Sequence, residues 1–151
     1  MTLLSTDQRP LLELFGRCRC GAVDFKLTGP RVELQPRRCG CDYCTPGGFQ
    51  YLGGPGCRLQ VNLHKPNWIY THRFGTRTAD FMHCAVCNTL MYVLCRVDGH
   101  EYGLAVENAI ADGQLPAARE LQVTSESLQD RLERRSATWI PDPEIIRHAS
   151  D

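Results

Sequence analysis

Seven of the nine cysteines in this chain fall in three tight groups: Cys18-Arg19-Cys20, Cys39-Gly40-Cys41-Asp42-Tyr43-Cys44 and Cys84-Ala85-Val86-Cys87. Only Cys57 and Cys95 stand alone. Thiols crowded in this way read as ligands for a soft metal, and zinc is the best match. The odd total argues against a fully paired disulfide framework.

The spacing suggests two sites with different tasks. Residues two apart on a strand face the same way, so Cys18 and Cys20 can aim both sulfurs at one ion, with Gly21 easing the bend. Cys84 and Cys87 have the two-residue spacing of a zinc knuckle. Together these four thiolates close a tetrahedral structural site with Zn–S bonds of about 2.3 Å. Cys39, Cys41 and Cys44 supply three further thiolates. Three protein ligands with one open position is the general pattern of a catalytic zinc. The alternative is a second structural site closed by Cys57, Cys95 or a histidine (His64, His72, His83, His100). Cys57, just past a glycine-rich loop, is the strongest closer, but the reading taken here leaves both lone cysteines out of the ligand sets.

Three thiolates around a doubly charged ion leave a net negative centre. Such a zinc acidifies bound water less than one held by neutral imidazoles, and it suits a substrate sulfur held as thiolate. Arg37 and Arg38 lie beside the cluster and could receive a substrate carboxylate. No Ser-His-Asp arrangement, phosphate loop or paired-carboxylate pattern competes for the active role.

These ligands require a scaffold, and the pattern around them is mainly β. Val23, Phe25 and Leu27 alternate with Asp24 and Lys26 along a half-buried strand. Gly29-Pro30 makes a turn, and Val32 and Leu34 continue the alternation in a second strand that leads into Cys39. Thr45-Pro46-Gly47-Gly48 and Gly53-Gly54-Pro55-Gly56 flank the short aromatic segment Phe49 to Leu52 and form either a mobile lip or plain turns. Further strands fall at Arg58 to Leu63, at Trp68-Ile69-Tyr70, over 77–83, and at Leu90 to Val97, the last apolar enough to be buried on both faces. Asp98-Gly99 signals a hairpin into alternation at Tyr102, Leu104 and Val106. One helix is expected over Ser125 to Arg135, capped by Thr124 or Ser125, with Leu128 and Leu132 as its apolar stripe. Asp7 and Pro10 could open a short helix through Leu14, or the segment is a flexible arm. Pro141 and Pro143 leave the tail loosely attached. The expected layout is an arm over 1–15, a zinc-binding β domain over 16–124 of seven or eight strands, and a helix with tail over 125–151.

Composition bounds the partners. Lysine plus arginine and aspartate plus glutamate both number 17 in 151 residues, so no net field draws nucleic acid or an anionic membrane. Fifteen of the basic residues are arginines, the side chain best shaped for carboxylates. No segment reaches the length of a membrane span. Met1 to Phe15 lacks the basic leader and apolar run of a signal peptide, and with clustered reduced thiols this points to the cytoplasm.

Gly-Arg-Cys-Arg-Cys-Gly-Ala-Val-Asp-Phe at 16–25, Cys-x-Cys-x-x-Cys at 39–44 and Phe-x-x-Cys-x-x-Cys at 81–87 together resemble the glutathione-dependent formaldehyde-activating enzyme family, which includes centromere protein V. The resemblance runs from Gly16 to Asp112 and takes in Val106-Glu107-Asn108-Ala109. It implies a β-tent fold, a structural zinc on Cys18, Cys20, Cys84 and Cys87, and a catalytic zinc on Cys39, Cys41 and Cys44. It also implies carbon–sulfur lyase-type chemistry on an adduct of a small thiol such as glutathione with an aldehyde. Asn88 stands where the family has glycine after the last cysteine, and asparagine tolerates the positive φ such a turn needs. Thr-Pro-Gly-Gly replaces the family's basic residue and Thr-Gly pair after Cys44. The alternative is a non-catalytic zinc-stapled module that binds a protein or chromatin. Zero net charge weighs against nucleic acid.

Overall fold

Alternation of apolar and polar residues builds two sheets that share a core. The structure, a computed structural model, describes residues 11–39, 49–73, 77–110, 119–121 and 127–148. The first sheet takes β1 (Leu11–Arg17), β2 (Val23–Pro30), β5 (Arg58–Leu63) and β12 (Glu144–Arg147), in the order β1-β2-β5-β12. The second runs β10-β3-β4-β9-β8-β7-β6. Its strands are β3 (Arg37–Cys39), β4 (Gln50–Leu52), β6 (Ile69–His72), β7 (Ala79–Cys84), β8 (Leu90–Val97), β9 (His100–Val106) and β10 (Arg119–Leu121), and β11 (Ile140–Pro141) joins it against β9. One helix, α1 (Leu128–Thr138), is the only α-helix among the described residues. No helix there is long and apolar enough to cross a membrane. The mainly β fold with one short C-terminal helix is the one expected from the sequence.

The core explains why β8 is apolar throughout. Val23, Phe25, Leu27, Leu59, Val61 and Leu63 turn inward from the first sheet onto Leu52, Met91, Tyr92 and Ala105 of the second. Tyr51, Phe81, Val93, Leu104 and Val106 point the other way and pack with Trp139 and, at the margin, Leu132 of α1. The second sheet is thus buried on both faces, so the inner half of β9 does not alternate: Gly103 to Val106 are all buried. At the β8–β9 hairpin, Asp98 (φ 51) and Gly99 (φ 81) both adopt the left-handed conformation that a tight two-residue turn requires.

Several local expectations are corrected. Asp7 and Pro10 lie outside the described residues, and no helix runs through Leu14: Leu11–Arg17 is a strand paired in register with β2. The Leu-x-Leu spacing there serves a strand, with Leu12 and Leu14 against the core. Arg31–Glu33 is a 3-10 turn, not a strand, so its side chains rotate by about a third of a turn per residue. Val32 is consequently 72% exposed while Leu34 is fully buried. The helix begins later and runs further than expected, because Ser127 caps it by accepting from the Asp130 amide at 3.0 Å. Through His148 the tail is not loose. Ile140 is in the core, and β12 pairs in parallel with β5 from Glu144↔Gln60 to Arg147↔Leu63. Strands from both the 1–15 and the 125–151 segments thereby complete the first sheet.

Candidate metal centre

The first cysteine pair sits in a turn, which corrects the expectation of a strand. After β1, the Gly21 amide donates to the Cys18 carbonyl at 3.1 Å, and Gly21 takes a φ of 78° that side chains disfavour. The turn, rather than strand periodicity, brings the two sulfurs to 3.6 Å. The second pair sits where β7 leaves the other sheet. A register shift between Met82 and His83 precedes Cys84, whose amide donates to the Thr89 carbonyl at 3.0 Å. Asn88 has a φ of 56°, so asparagine does supply the left-handed residue of this knuckle. Its side chain also accepts from the Tyr70 hydroxyl at 3.1 Å.

The two turns meet. Cys20 and Cys84 place their sulfurs 3.4 Å apart, and one sulfur each of Cys18, Cys20, Cys84 and Cys87 all fall within 4.8 Å of one another. Sulfurs at the corners of a tetrahedron with Zn–S of about 2.3 Å lie about 3.8 Å apart. The four thiols therefore have the donor type and spacing to hold a metal such as zinc. The Val23 amide donates to the Cys18 sulfur at 3.4 Å, and the Thr89 hydroxyl lies 3.1 Å from that of Cys87. Nothing about Thr89 in the sequence announced that role.

The thiols carry opposed acidities. Desolvation within the cluster pushes Cys20 up to about 12, and hydrogen bonds with Cys84, Cys18 and Cys87 add to the rise. For Cys87, desolvation also acts against ionisation. Hydrogen bonds from Thr89, from the Cys20 and Arg19 amides and from the Cys84 thiol outweigh it and bring that group down to about 6. A bound cation would relieve the crowding by replacing protons, so affinity must fall with falling pH.

Cys41, Cys44 and the Thr45-Pro46-Gly47-Gly48 loop lie outside the described residues. Of Cys39 the backbone is described, and it closes β3. Strands β3 and β4 pair antiparallel, Arg37↔Tyr51 and Arg38↔Gln50, so the segment between them joins two strands already side by side. Asn108, in the stretch singled out by its sequence, accepts from the Gln50 amide at 3.0 Å and pins the start of β4.

The two arginines separate. Arg38 is exposed, whereas Arg37 is buried and turned into the protein. Arg37 donates to the Gly53 carbonyl and, at 3.4 Å, to that of Thr138, the last residue of α1. A cation at a helix C-terminus is favoured there. Arg37 is thus corrected from a substrate contact to a structural tie between β3 and the helix. Arg37→Ala is expected to lower stability by about 2 kcal/mol, because it leaves the buried Gly53 carbonyl without this donor and removes the tie to Thr138. A shifted denaturant midpoint at unchanged zinc content checks this.

The lone cysteines are elsewhere. Cys57 is buried in the first core; a Cβ at Gly29 would fall 2.4 Å from its sulfur, and burial pushes its thiol pKa up. Cys95 is buried in the second core, 3.5 Å from an Arg135 nitrogen. Among the histidines, His64 bonds Asp24 at 2.6 Å, while His83 stacks on Tyr70 with centroids 4.9 Å apart.

Fold and site define a class, a mainly β domain with a four-thiol group able to hold a metal. No protein-family model matches the chain, and no curated protein matches it. Among solved structures it is similar to a Rhodobacter sphaeroides protein whose crystal structure was determined as a structural genomics target. The two are 25% identical with a TM-score of 0.50, over 72% of this chain and 100% of that one.

Proposed function

We propose that this protein is a zinc-dependent carbon–sulfur lyase-type enzyme of the glutathione-dependent formaldehyde-activating kind, acting on an adduct of a small thiol with an aldehyde. The observation that carries the reading is that Cys18, Cys20, Cys84 and Cys87, all among the described residues, already supply the four ligands of a tetrahedral site. Cys39, Cys41 and Cys44 are then left for a second, separate metal. A zinc held by three thiolates supplies a soft Lewis centre for the sulfur of the substrate thiol. Arg38, the exposed one of the pair, is the residue for a substrate carboxylate, and Asn108 holds the β3–β4 edge in place beside it. The clustered thiols suit a reducing compartment such as the cytoplasm.

Two zinc ions per chain are expected in protein purified without chelator. Elemental analysis giving about one per chain would remove the catalytic site from this reading. A second reading, a zinc-stapled module that binds another protein, is favoured by one feature. Trp68, Tyr70 and Val86, which are 39%, 40% and 59% exposed, present apolar surface at the Cys84–Cys87 knuckle and on the 3-10 turn and strand beside it. Two bound zincs with no glutathione–formaldehyde turnover would decide for that module.

A further inference from the structure

We propose that the outer face of the four-stranded sheet is a binding site for a small organic oxyanion with a planar body, held between Arg17 and Lys26 against Phe15. A pocket of about 510 Å³ opens on this face, lined by Phe15, Arg17, Asp24, Lys26, Gln60 and Asn62 among others. That volume is in the range of small-molecule sites, roughly 300–1,000 Å³.

The register sets Arg17 opposite Asp24 and Phe15 opposite Lys26, with Asn62 and Gln60 next along each row. An arginine and an aspartate directly across two strands ordinarily pair. Here Asp24 is engaged from the other side. Its Oδ1 accepts from Asn62 Nδ2 at 2.8 Å, and its Oδ2 is bonded by His64 Nε2 at 2.6 Å. Because the Asn62 amide nitrogen faces Asp24, its oxygen is left to accept from His148 Nε2 at 3.0 Å. The two imidazoles stack with centroids 4.7 Å apart, which closes the network. Side chains from β5 and the segments that follow β5 and β12 thus draw the carboxylate away from β1. Among the described residues neither Arg17 nor Lys26 has an ion-pair partner.

Two cations without ion-pair partners outnumber the one carboxylate, Asp24, in a pocket with an amide floor, which favours an anion, and an arginine fork fits carboxylate and phosphate alike. Phe15 is 61% exposed at the corner between the two cations. An exposed ring there offers a stacking surface for a flat ligand body. Sequence reading missed the network because its members are assembled from β2, β5 and the chain end.

The test is calorimetric titration of the zinc-loaded full chain with benzoate, adenosine monophosphate and inorganic phosphate. One planar probe should bind once per chain with a Kd on the order of 0.1 mM. Benzoate as the tighter probe identifies a carboxylate ligand, and the nucleotide a phosphate one. Arg17→Ala and Lys26→Ala should each weaken binding about tenfold, and Phe15→Ala should weaken both planar probes but not phosphate. His64→Ala should weaken binding several-fold by releasing Asp24 toward Arg17, and adding Asp24→Asn should restore it. Absence of binding by all three probes up to about 10 mM overturns the proposal, as does binding indifferent to Arg17→Ala. Each variant alters a polar or exposed side chain, and unchanged zinc content verifies that it is folded. The outcome is independent of whether the 39–44 cluster is catalytic.

Discussion

Cys84→Ser is expected to leave no cooperatively folded protein. Cys84 is the last residue of β7 and is fully buried, with its sulfur 3.4 Å from that of Cys20, 64 positions earlier in the chain. Cys18 and Cys20 belong to the turn between the first two strands of the four-stranded sheet, whereas Cys84 and Cys87 belong to the eight-stranded one. A metal on these four sulfurs therefore staples one sheet to the other at a corner of the shared core. The magnitudes decide the outcome. Structural zinc contributes roughly 10–16 kcal/mol of apparent binding free energy, while a domain of this size has a net stability of about 5–15 kcal/mol. A serine hydroxyl is a poor ligand for a soft site, so most of the metal term is lost. The variant should show no sigmoidal melt by circular dichroism and should lose the structural zinc. Cys57→Ser is the control. It also puts a hydroxyl in the core, but it should keep its zinc and melt cooperatively at a lower temperature. A Cys84→Ser protein with full zinc and a melt like that of the Cys57→Ser control would show that the four-thiol group is not the staple.

How much of this was legible follows from the range of the interactions involved. Ligand type and spacing are local, so Cys18 with Cys20 and Cys84 with Cys87 could each be read directly as half of a four-thiolate site. The same holds for β2, β5 and the Asp98-Gly99 hairpin, whose periodicity and turn chemistry are contained in a few residues. Asn88 belongs here too: its left-handed conformation follows from the turn and from asparagine's tolerance of it. The strands that were missed are held by partners rather than by pattern. Leu11–Arg17 becomes a strand because β2 offers it seven register partners, and Glu144–Arg147 because β5 offers four in parallel. Arg37 could not be told from Arg38 by composition. The difference is which face of a three-residue strand meets the end of α1, and α1 lies about a hundred positions away in the chain, as the 101-residue separation of Arg37 and Thr138 records. The Asp24 network is hidden for the same reason, with separations of 38, 40 and 86 residues.

Cys41→Ser should have the opposite signature: folded, near-normal stability, about one zinc per chain, and no glutathione–formaldehyde turnover. Cys39, Cys41 and Cys44 occupy six consecutive positions, so a metal bound there closes no long loop, and the entropy it removes from the unfolded chain is small. The flanking strands are already joined without it. Arg37↔Tyr51 and Arg38↔Gln50 pair β3 with β4, Asn108 anchors Gln50, and Arg37 ties β3 to Thr138 at the end of α1. Loss of one thiolate from three leaves two, which hold zinc weakly, so the second equivalent should be absent after dialysis. On the proposed function the substrate sulfur then has no partner, and turnover should drop to the uncatalysed rate. Three measurements on the same sample suffice: circular dichroism melting, elemental zinc, and adduct formation from glutathione and formaldehyde. Retention of two zincs would exclude Cys41 as a ligand. Complete unfolding like that of Cys84→Ser would make the second metal structural, and the protein would then be better read as a zinc-stapled binding module. A folded one-zinc variant with undiminished turnover would move the chemistry away from the 39–44 cluster altogether.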